Sequence, residues 1–439
     1  MLDTDPPAPV TRSRFTRCAQ IVLAALLLAW LALVFWNSAK PLPPGTHLVS
    51  QVSRLSESDV EFLNGTPQHQ DPSVREMAAI DHAEQLIVLD RSPVNRELAE
   101  HLLARKRARP HLKIVLVTDP GNEAFGGTPS QTLVSLEEAG LIVARVRLDR
   151  LRDSNPLYSG LWRLVFGWWS DPFDETPGRA TLPAWSRMQN HKADQRQLVV
   201  ADDGAGGWNA ILAPAGAGAG LVLRGSLARA MIAGELQVAA WSTDDDRLPA
   251  GPPIDGRDVG SIDARFLTEG AIETALLDAI AAAAGGDQVL IAVQNLSDRR
   301  LIAAALSAAA RGARLQVLLA RNTMPNQAVA GELLREGGGR IEVRWCPIDT
   351  GASLLVVRHR NDLWVNLGSA NFTRRNLGDL NLESGVELRM PAQAAPARAA
   401  SEYFARAWRG AAVDADFADQ SSAGYWRYRL AEATGLSSF

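Results

Sequence analysis

A pattern of strands and helices occurs twice in this chain, about 200 residues apart. In the first copy, the buried-strand run QLIVLD (85–90) precedes a helical stretch and a second strand, KIVLVTDP (113–120). In the second copy, QVLIAVQ (288–294) precedes a helical stretch and LQVLLAR (315–321). The alternation of strands with helices predicts an α/β fold with a mixed sheet, built as two similar halves.

The two copies continue in parallel. A short helix leads to a third strand in each, LIVARVRL (141–148) and RIEVRWC (340–346). The next strands are QLVVADD (197–203) and SLLVVRH (353–359). We expect these two strands at equivalent places near the junction of the halves, where matching segments from both would line a pocket.

The first copy carries an insert, residues 151–190. Asn155 is suited to cap a helix that has Pro156 at its first position. That helix would be apolar nearly all round. Its large apolar residues are Tyr158, Leu161, Trp162, Val165, Phe166, Trp168 and Trp169. Two interpretations stay open: a buried helix that covers the sheet, or an aromatic lip at the membrane interface or over a lipid-sized groove.

An apolar stretch near the N-terminus, residues 18–36, is long enough to span a bilayer as a helix. The basic residues before it are Arg12, Arg14 and Arg17, and only Lys40 follows closely. The positive-inside bias therefore predicts a single-pass protein of the inner (cytoplasmic) membrane, with its C-terminal region outside the cytoplasm. A cleaved signal peptide is the alternative, although the run is long for one and no convincing Ala-x-Ala site follows.

These features divide the chain into six parts. They are a cytoplasmic tail (1–17), a transmembrane anchor (18–36), a stalk (37–58), the first half (59–255), the second half (256–410) and a C-terminal tail (411–439). The stalk contains PLPPG, which is typical of a stiff spacer.

Composition excludes several classes of function. The net charge of −4 over 439 residues does not indicate a broad nucleic-acid-binding face. The two cysteines, Cys18 and Cys346, are far apart and show no metal-ligand spacing with histidine, so we expect no metal and no cofactor.

The acidic run 244–246 is typical of a solvated loop, with a divalent-cation site as the alternative. The glycine-containing segment 118–127 lacks a nucleotide-binding pattern, and no Gly-x-Ser-x-Gly hydrolase elbow occurs.

The segment VNLGSANFTRRNLGDLNLE (365–383) has the character of one wall of a phosphate site. Apolar alternation ends in a Gly-Ser-Ala-Asn turn, and two arginines and a glutamate follow. Guanidinium groups bind phosphate with several N–H donors. The candidate phosphate or lipid ligands are Ser369, Asn371, Arg374, Arg375 and Glu383.

Together with the doubled halves, this segment, NHKADQRQLVVADDG (190–204) and RLDRLRDSNPLYSGLWR (147–163) resemble the phospholipase D superfamily. The nearest likeness is to membrane-anchored bacterial members related to cardiolipin synthases, over most of residues 45–410. The resemblance implies one His-x-Lys-x-x-x-x-Asp motif in each half. In that chemistry one histidine attacks phosphorus and the other acts as acid and base, usually without a metal.

The first motif of this chain departs from that pattern. Gln195 stands at the histidine position and Gln197 at the lysine position, whereas Asp202 matches. The turn that follows, residues 213–216, lacks the serine and the asparagine. A glutamine side chain cannot serve as an acid or a base.

The second motif departs further. Gly351, Ser353 and Arg358 stand at the histidine, lysine and aspartate positions. No lysine occurs after Lys192, and His359 is the only histidine after His191, so no other alignment restores the motif. The turn with Ser369 and Asn371 does match, and Glu383 fits a carboxylate that often braces a catalytic histidine.

Three roles for the retained wall stay open. It is structural, or it binds an anion or lipid, or substitute residues such as Arg196, His191 and His359 support activity. Because Arg196 lies between two glutamines on an expected strand, it should face away from their site. The leading hypothesis is a membrane-anchored, catalytically inactive protein that binds or regulates in envelope phospholipid processes. Its partners would be the membrane, an anionic phospholipid and an active relative, with no nucleic acid. The alternatives are an active phosphodiesterase or phosphatidyltransferase, and a structural envelope protein without a ligand.

Overall fold

The computed structural model of the protein describes most of the chain. The described residues are 14–65, 71–121, 130–166, 189–214, 218–254, 259–321, 324–346, 352–413, 425–426 and 428–430.

The strands fall into two sets, one in each half of the chain. β1 (Ser53–Leu55) lies in the interval 37–58, before the first half. The first half contains β2 (Val60–Leu63), β3 (Leu86–Asp90), β4 (Lys113–Thr118), β5 (Ile142–Arg145), β6 (Leu198–Asp202), β7 (Trp208–Leu212) and β8 (Gly220–Arg224). The second half contains β9 (Ile262–Thr268), β10 (Gln288–Val293), β11 (Arg314–Ala320), β12 (Ile341–Cys346), β13 (Ser353–His359), β14 (Asp362–Gly368) and β15 (Ser384–Pro391).

Helices connect and cover these strands. They are α1 (Arg14–Ser38), α2 (Pro72–His82), α3 (Arg96–Ala108), α4 (Gln131–Glu138), α5 (Pro156–Phe166), α6 (Ser226–Ser242), α7 (Gly270–Ala282), α8 (Arg299–Ala310), α9 (Met324–Glu336), α10 (Arg374–Leu377) and α11 (Ala395–Gly410).

The two sheets have the same strand order. The first runs β2-β8-β7-β6-β3-β4-β5, and the second runs β9-β15-β14-β13-β10-β11-β12 with β1 added beside β9. In both, the last three strands are parallel and the others antiparallel. The predicted mixed α/β fold with two similar halves is therefore confirmed. QLVVADD and SLLVVRH form β6 and β13, which occupy equivalent positions.

One hydrophobic core joins the two halves. It includes Val200 of β6 and Val356 of β13 together with Met231 of α6. α6 is buried over most of its length and contacts strands of the first sheet as well as β9 of the second. α11 repeats this arrangement, since it packs on the second sheet and contacts β2 of the first. The sheets consequently pack with these two helices between them, and the ends of β6 and β13 lie near the junction.

The interval 37–58, expected to be a stalk, contacts the folded body. β1 pairs antiparallel with β9, Ser53 opposite Ala264. The Trp241 indole N–H donates to the Pro44 carbonyl at 2.9 Å. This interval therefore extends the second sheet and fixes the position of the body relative to α1.

α1 contains one segment, Thr16–Ser38, that is long and apolar enough to cross a membrane, and most of its surface is exposed. The insert helix α5 packs beside α1. Asn155 caps α5 as expected, because its backbone carbonyl accepts from Ser159 at 2.9 Å and Pro156 begins the helix. Leu157 and Leu161 of α5 are exposed. The insert was expected either to cover the sheet or to form an aromatic lip at the membrane interface. Because α5 lies beside α1, the structure disfavours the first interpretation. Trp168, Trp169, Arg12 and most of the tail 411–439 lie outside the described residues.

Candidate functional site at the junction of the two halves

The two motif regions meet through a short stretch of backbone pairing. Gln195 N–H donates to the Leu382 carbonyl at 2.9 Å, and Leu382 N–H donates to the Ala193 carbonyl at 2.9 Å. The Ala193 N–H also donates to the side-chain oxygen of Asn381 at 3.1 Å. The residues just before β6 are thereby fixed against the segment that leads into β15, from the other half of the chain.

Gln195, at the first histidine position, belongs to a chain of hydrogen bonds that crosses this junction. Its side-chain oxygen accepts from the Asn376 amide at 2.9 Å. The same Asn376 amide donates to Glu383, and the Ser369 hydroxyl donates to the other Glu383 oxygen at 2.6 Å. We call Gln195, Asn376, Glu383 and Ser369 the amide–carboxyl chain. Its members bond to one another across the junction of the two halves.

Burial changes the protonation of this chain. Glu383 is fully buried. Burial raises the pKa of Glu383 to about 8, against the opposing effect of the hydrogen bonds from Ser369 and Asn376. The neutral carboxylic acid therefore predominates near neutral pH, and it can donate its proton to a neighbouring oxygen.

Gln197, at the first lysine position, is fixed by a different set of partners. Its side-chain oxygen accepts from Arg91 at 2.5 Å, and its amide donates to the Ser92 carbonyl at 2.8 Å. Arg91 also pairs with the buried Glu76. A cation is thus present beside this position, but its charge is already compensated.

Asp202 and Arg358, at the two aspartate positions, have unrelated contacts. The Asp202 carboxylate accepts from the backbone N–H groups of Glu84, Gln85 and Leu86 at 2.8–3.0 Å, which fixes the start of β3. Burial alone would raise the pKa of Asp202, but these N–H donors lower it. Arg358 instead donates to the Ser401 hydroxyl of α11 at 2.9 Å. Both residues support packing of their own half.

The remaining motif positions contribute little exposed polar surface. Ser353 is buried at the start of β13, opposite Gly368. His359 lies at the other end of that strand, about 20 Å away, and pairs with Asp287 at 2.9 Å. Gly351, Ala215 and Gly216 lie outside the described residues.

The polar wall downstream of β14 is engaged in internal contacts. Asn371 accepts from the Asn295 backbone at 3.1 Å through its side-chain oxygen. Arg374 donates to the Ser154 carbonyl at 2.7 Å and so connects the wall to the insert. Arg375 is buried close to His191, which is exposed. Partial burial lowers the pKa of His191, and the Arg375 guanidinium lowers it further, so the imidazole is neutral near neutral pH.

Arg196 has partners of its own, away from both glutamines. It is completely buried and donates to Glu269 at 2.7 Å, to Glu235 at 3.0 Å and to the Gly45 carbonyl at 2.8 Å. The neighbouring carboxylates raise its pKa, although burial alone would lower it. We call Arg196, Glu235 and Glu269 the buried arginine cluster. The direction expected for Arg196 agrees with this geometry, but the side chain ends in a buried ion cluster rather than in solvent.

Glu269 connects this cluster to three parts of the molecule. Its first carboxylate oxygen accepts from Arg196 and from the Glu383 N–H at 2.9 Å, and its second accepts from the His47 N–H at 2.7 Å. The backbone at Glu269 is left-handed, with φ of 46°. A strained glutamate is kept here because its carboxylate binds three segments at once.

Comparisons with known proteins agree with this architecture. The profile of the family described as "Cardiolipin synthase, PLD-like domain" matches residues 276–408. The crystal structure of phosphatidylserine synthase from Haemophilus influenzae Rd KW20 is similar over 94% of this chain and 99% of that chain, with a TM-score of 0.55 and 11% identity. Residues 276–408 therefore match a PLD-like domain, and the chain as a whole shares the fold of that synthase.

Two smaller solved structures match only part of the chain. Nuc from Salmonella typhimurium, a phospholipase D family member, covers 34% of this chain and 97% of its own at 19% identity, with a TM-score of 0.28. NucT from Helicobacter pylori covers 35% of this chain and 99% of its own at 14% identity, with the same TM-score. The similarity in fold therefore rests on the phosphatidylserine synthase. No curated protein sequence matches the chain.

The structure brings together some of the predicted site residues and separates others. Gln195, Ser369 and Glu383 meet in one hydrogen-bonded chain. Gln197 lies in a separate set of contacts. Sequence reasoning missed Asn376 and Glu269, which link the two halves. Asn376 lies in the segment NFTRRN (371–376), where the Thr373 side chain caps α10 by accepting from the Asn376 N–H. A threonine followed three residues later by asparagine is the sequence signal for this cap.

The buried arginine cluster predicts a large loss of stability when its cation is removed. The Arg196→Met variant leaves Glu235 and Glu269 buried without their counter-charge, which costs about 3–5 kcal/mol of unfolding free energy. Denaturant unfolding of the full-length protein in detergent at pH 7.5 measures this loss. Arg247→Met is the matched control, because Arg247 forms an exposed pair with Asp245, and a change within about 1 kcal/mol is expected there. An Arg196→Met loss no greater than that of the control would contradict the assignment.

The amide–carboxyl chain predicts that stability falls as pH rises. Because the pKa of Glu383 is raised in the folded state to about 8 from an ordinary value of 4.5, its contribution is present below about 4.5 and is lost as pH rises through about 8. The denaturation midpoint should therefore decline between pH 5 and pH 9 (approximate limits set by these two values). Glu383→Gln, which keeps both hydrogen-bonding partners, should flatten that decline. The exposed Glu402→Gln serves as control, and an unchanged slope in Glu383→Gln would exclude this origin.

Proposed function

We propose that this protein is a membrane-anchored member of the phospholipase D superfamily that lacks phosphohistidine chemistry and acts by binding in phospholipid processes of the cell envelope. One observation carries the proposal. The residues at the first motif position and in the retained wall form a closed chain, Gln195 to Asn376 to Glu383 to Ser369. Gln195, a neutral amide, stands where the nucleophilic histidine is expected. Ser369 and Asn376 of the wall donate their hydrogen bonds to Glu383, within the protein.

The chemistry of the available groups supports this proposal. A covalent phospho-enzyme needs a nucleophile at the junction, and Gln195 is not one. The superfamily's lysine supplies positive charge to the phosphate in the transition state. Gln197 has no charge, and the nearby Arg91 is paired with Glu76. Loss of a general acid or base alone typically lowers a rate by about 10²–10⁴.

The binding role rests on charge at the edge of the junction. Arg374 is partly exposed, and its contact with the Ser154 carbonyl does not neutralise its charge. Guanidinium groups bind phosphate without a nucleophile. An anionic phospholipid headgroup is the ligand that this charge and the apolar N-terminal helix together favour. An active relative is the proposed protein partner.

One observation favours a second candidate, an active phosphodiesterase or phosphatidyltransferase with atypical residues. His191 is exposed, precedes the junction segment, and has a lowered pKa beside Arg375. A neutral imidazole next to a guanidinium has the elements of a base and an anion site. A structural envelope protein without a ligand is the third candidate.

Turnover assays separate these candidates. We expect no turnover of phosphatidylglycerol, cardiolipin or bis(p-nitrophenyl) phosphate by the full-length protein in detergent, and no acid-labile phosphohistidine. The reason is that no described residue at the motif positions is a histidine, so a phosphohistidine cannot form there. Turnover that His191→Ala abolishes, while the exposed His111→Ala retains it, would establish the second candidate instead.

The same preparations measure binding. Fluorescent phosphatidylglycerol should bind more tightly than fluorescent phosphatidylcholine, and Arg374→Gln should reduce that preference. Arg398→Gln provides an exposed arginine control on α11. Equal binding of both lipids by the unmodified protein would favour the structural candidate.

The orientation in the membrane is also a proposal. Arg14 and Arg17 lie at the N-terminal end of α1, before the apolar run 18–36, and Lys40 follows that run. The positive-inside rule then places the N-terminus in the cytoplasm of a bacterial cell and the body outside it, at the inner membrane. An alkaline phosphatase fused after Phe439 should be active. A green fluorescent protein fused at the same place should not fluoresce when the fusion is exported by the general secretion route. The reverse pattern would overturn this orientation, and a mature protein lacking α1 would show that the segment is a cleaved signal.

A further inference from the structure

α5 is held tightly against the C-terminal third of α1. The Trp30 indole N–H donates to the Leu157 carbonyl at 3.0 Å. Gly160 faces the same helix, and a Cβ atom at this position would lie 2.7 Å from a Val34 methyl and 3.1 Å from the Trp30 ring. The two helices approach this closely because residue 160 has no side chain, as small residues permit at helix–helix contacts within membranes.

The end of α1 is fixed to the segment that leads into α5. Asp153 N–H donates to the Asn37 carbonyl at 3.1 Å. The Lys40 ammonium donates to the Asp149 carbonyl at 2.7 Å, and Arg152 donates to the Lys40 carbonyl at 3.0 Å. These contacts leave no free linker between α1 and the body, so the depth of α5 relative to α1 is set by the fold.

That depth follows from helix geometry. Trp30 lies eight residues before the end of α1 at Ser38, about 12 Å along the helix axis, and Val34 lies about 6 Å from that end. The apolar segment Thr16–Ser38 is about 34 Å long, close to the thickness of a bilayer's hydrocarbon core. If α1 spans the membrane, α5 must lie below the surface of the leaflet into which Ser38 emerges.

The outer face of α5 suits that environment. Leu157, Leu161 and Val165 are 45%, 53% and 44% exposed, and their spacing of four residues places them in one stripe along the helix. The only charged residue of α5, Arg163, points elsewhere and pairs with the fully buried Asp153, which also binds Lys192. Burial alone would raise the pKa of Asp153, but these two cations lower it, so the group stays ionised and matched.

The apolar stripe is continuous with the surface that α1 presents to lipid. Phe35 and Trp36, at the same end of α1, are 70% and 72% exposed. Aromatic residues are enriched at this level of a membrane. A soluble loop would not need an exposed leucine stripe beside an anchor helix, whereas acyl chains would cover both surfaces together.

We propose that α5 is a second membrane element, which inserts the Leu157–Leu161–Val165 stripe into the acyl region of the leaflet where α1 ends. The inference rests on the proposed membrane span of α1. The partner of this surface is the lipid itself. Since Ser154 at the start of α5 accepts from Arg374, insertion holds the wall of the junction close to the headgroups of that leaflet.

Site-directed spin labelling of the full-length protein in lipid nanodiscs tests this. In a background with Cys18→Ala and Cys346→Ala, a nitroxide at Leu161→Cys should collide readily with oxygen and be shielded from a water-soluble nickel chelate. Its depth should be about 6–12 Å below the level of Ser38, the range that Val34 and Trp30 set. Leu161 is exposed, so the label does not disturb packing. Val259→Cys, at a residue that is 89% exposed on the body, is the control and should show the opposite accessibility.

Other outcomes overturn the proposal in distinguishable ways. Nickel accessibility at Leu161→Cys equal to that at Val259→Cys would place α5 in water. Shielding from both reagents would show that a protein surface, a second copy or another helix, covers the stripe. A label at Leu27→Cys, exposed near the middle of α1, reports the anchor itself. If Leu27 is not in lipid, the proposed anchoring fails, whereas lipid at Leu27 and water at Leu161 removes this inference alone.

Discussion

The ion cluster around Arg196 is the constraint on which the arrangement of the two halves depends. A fully buried guanidinium is costly to desolvate unless it is paired and hydrogen-bonded. Arg196 meets that condition only with Glu235 from α6, Glu269 from the second half and the Gly45 carbonyl from the segment after the anchor. Three parts of the chain that are distant in sequence must therefore be in place before this charge is satisfied.

The same cluster fixes the register of the first motif. Because side chains alternate along extended backbone, burying Arg196 commits Gln195 and Gln197 to other directions. Gln197 accepts a hydrogen bond from Arg91, which a lysine could not do because an ammonium group has no acceptor. A lysine there would also place two cations together. Gln195 likewise fits a position where Asn376 needs an acceptor. Both glutamines are thus matched to their present neighbours.

The retained wall has a physical explanation in these contacts. Ser369 and Asn376 bind Glu383, whose backbone N–H in turn binds Glu269. Removing the wall would leave a buried carboxyl group without partners, at a cost comparable to several hydrogen bonds. These contacts give residues 369–383 a structural role that does not depend on phosphate binding.

Sequence reasoning predicted most of the central strands and the pairing of the halves, because β3, β4, β10 and β11 are uninterrupted apolar runs bounded by polar residues. It did not place α6, which is apolar on nearly every face and has no helical period to detect. It also missed Glu269 and Asn376, since their roles depend on partners more than 100 residues away. Local patterns report local structure, and a buried ion pair between distant segments leaves no such pattern.

The position of α5 connects this interior to the membrane. Asp153 holds Arg163 of α5 and Lys192 beside the first motif at the same time. Arg374 of the second half binds Ser154 next to that aspartate. A shift of α5 relative to α1 would consequently move groups on both sides of the junction. The insert in the first half therefore contacts the anchor helix, the first motif region and the retained wall of the second half.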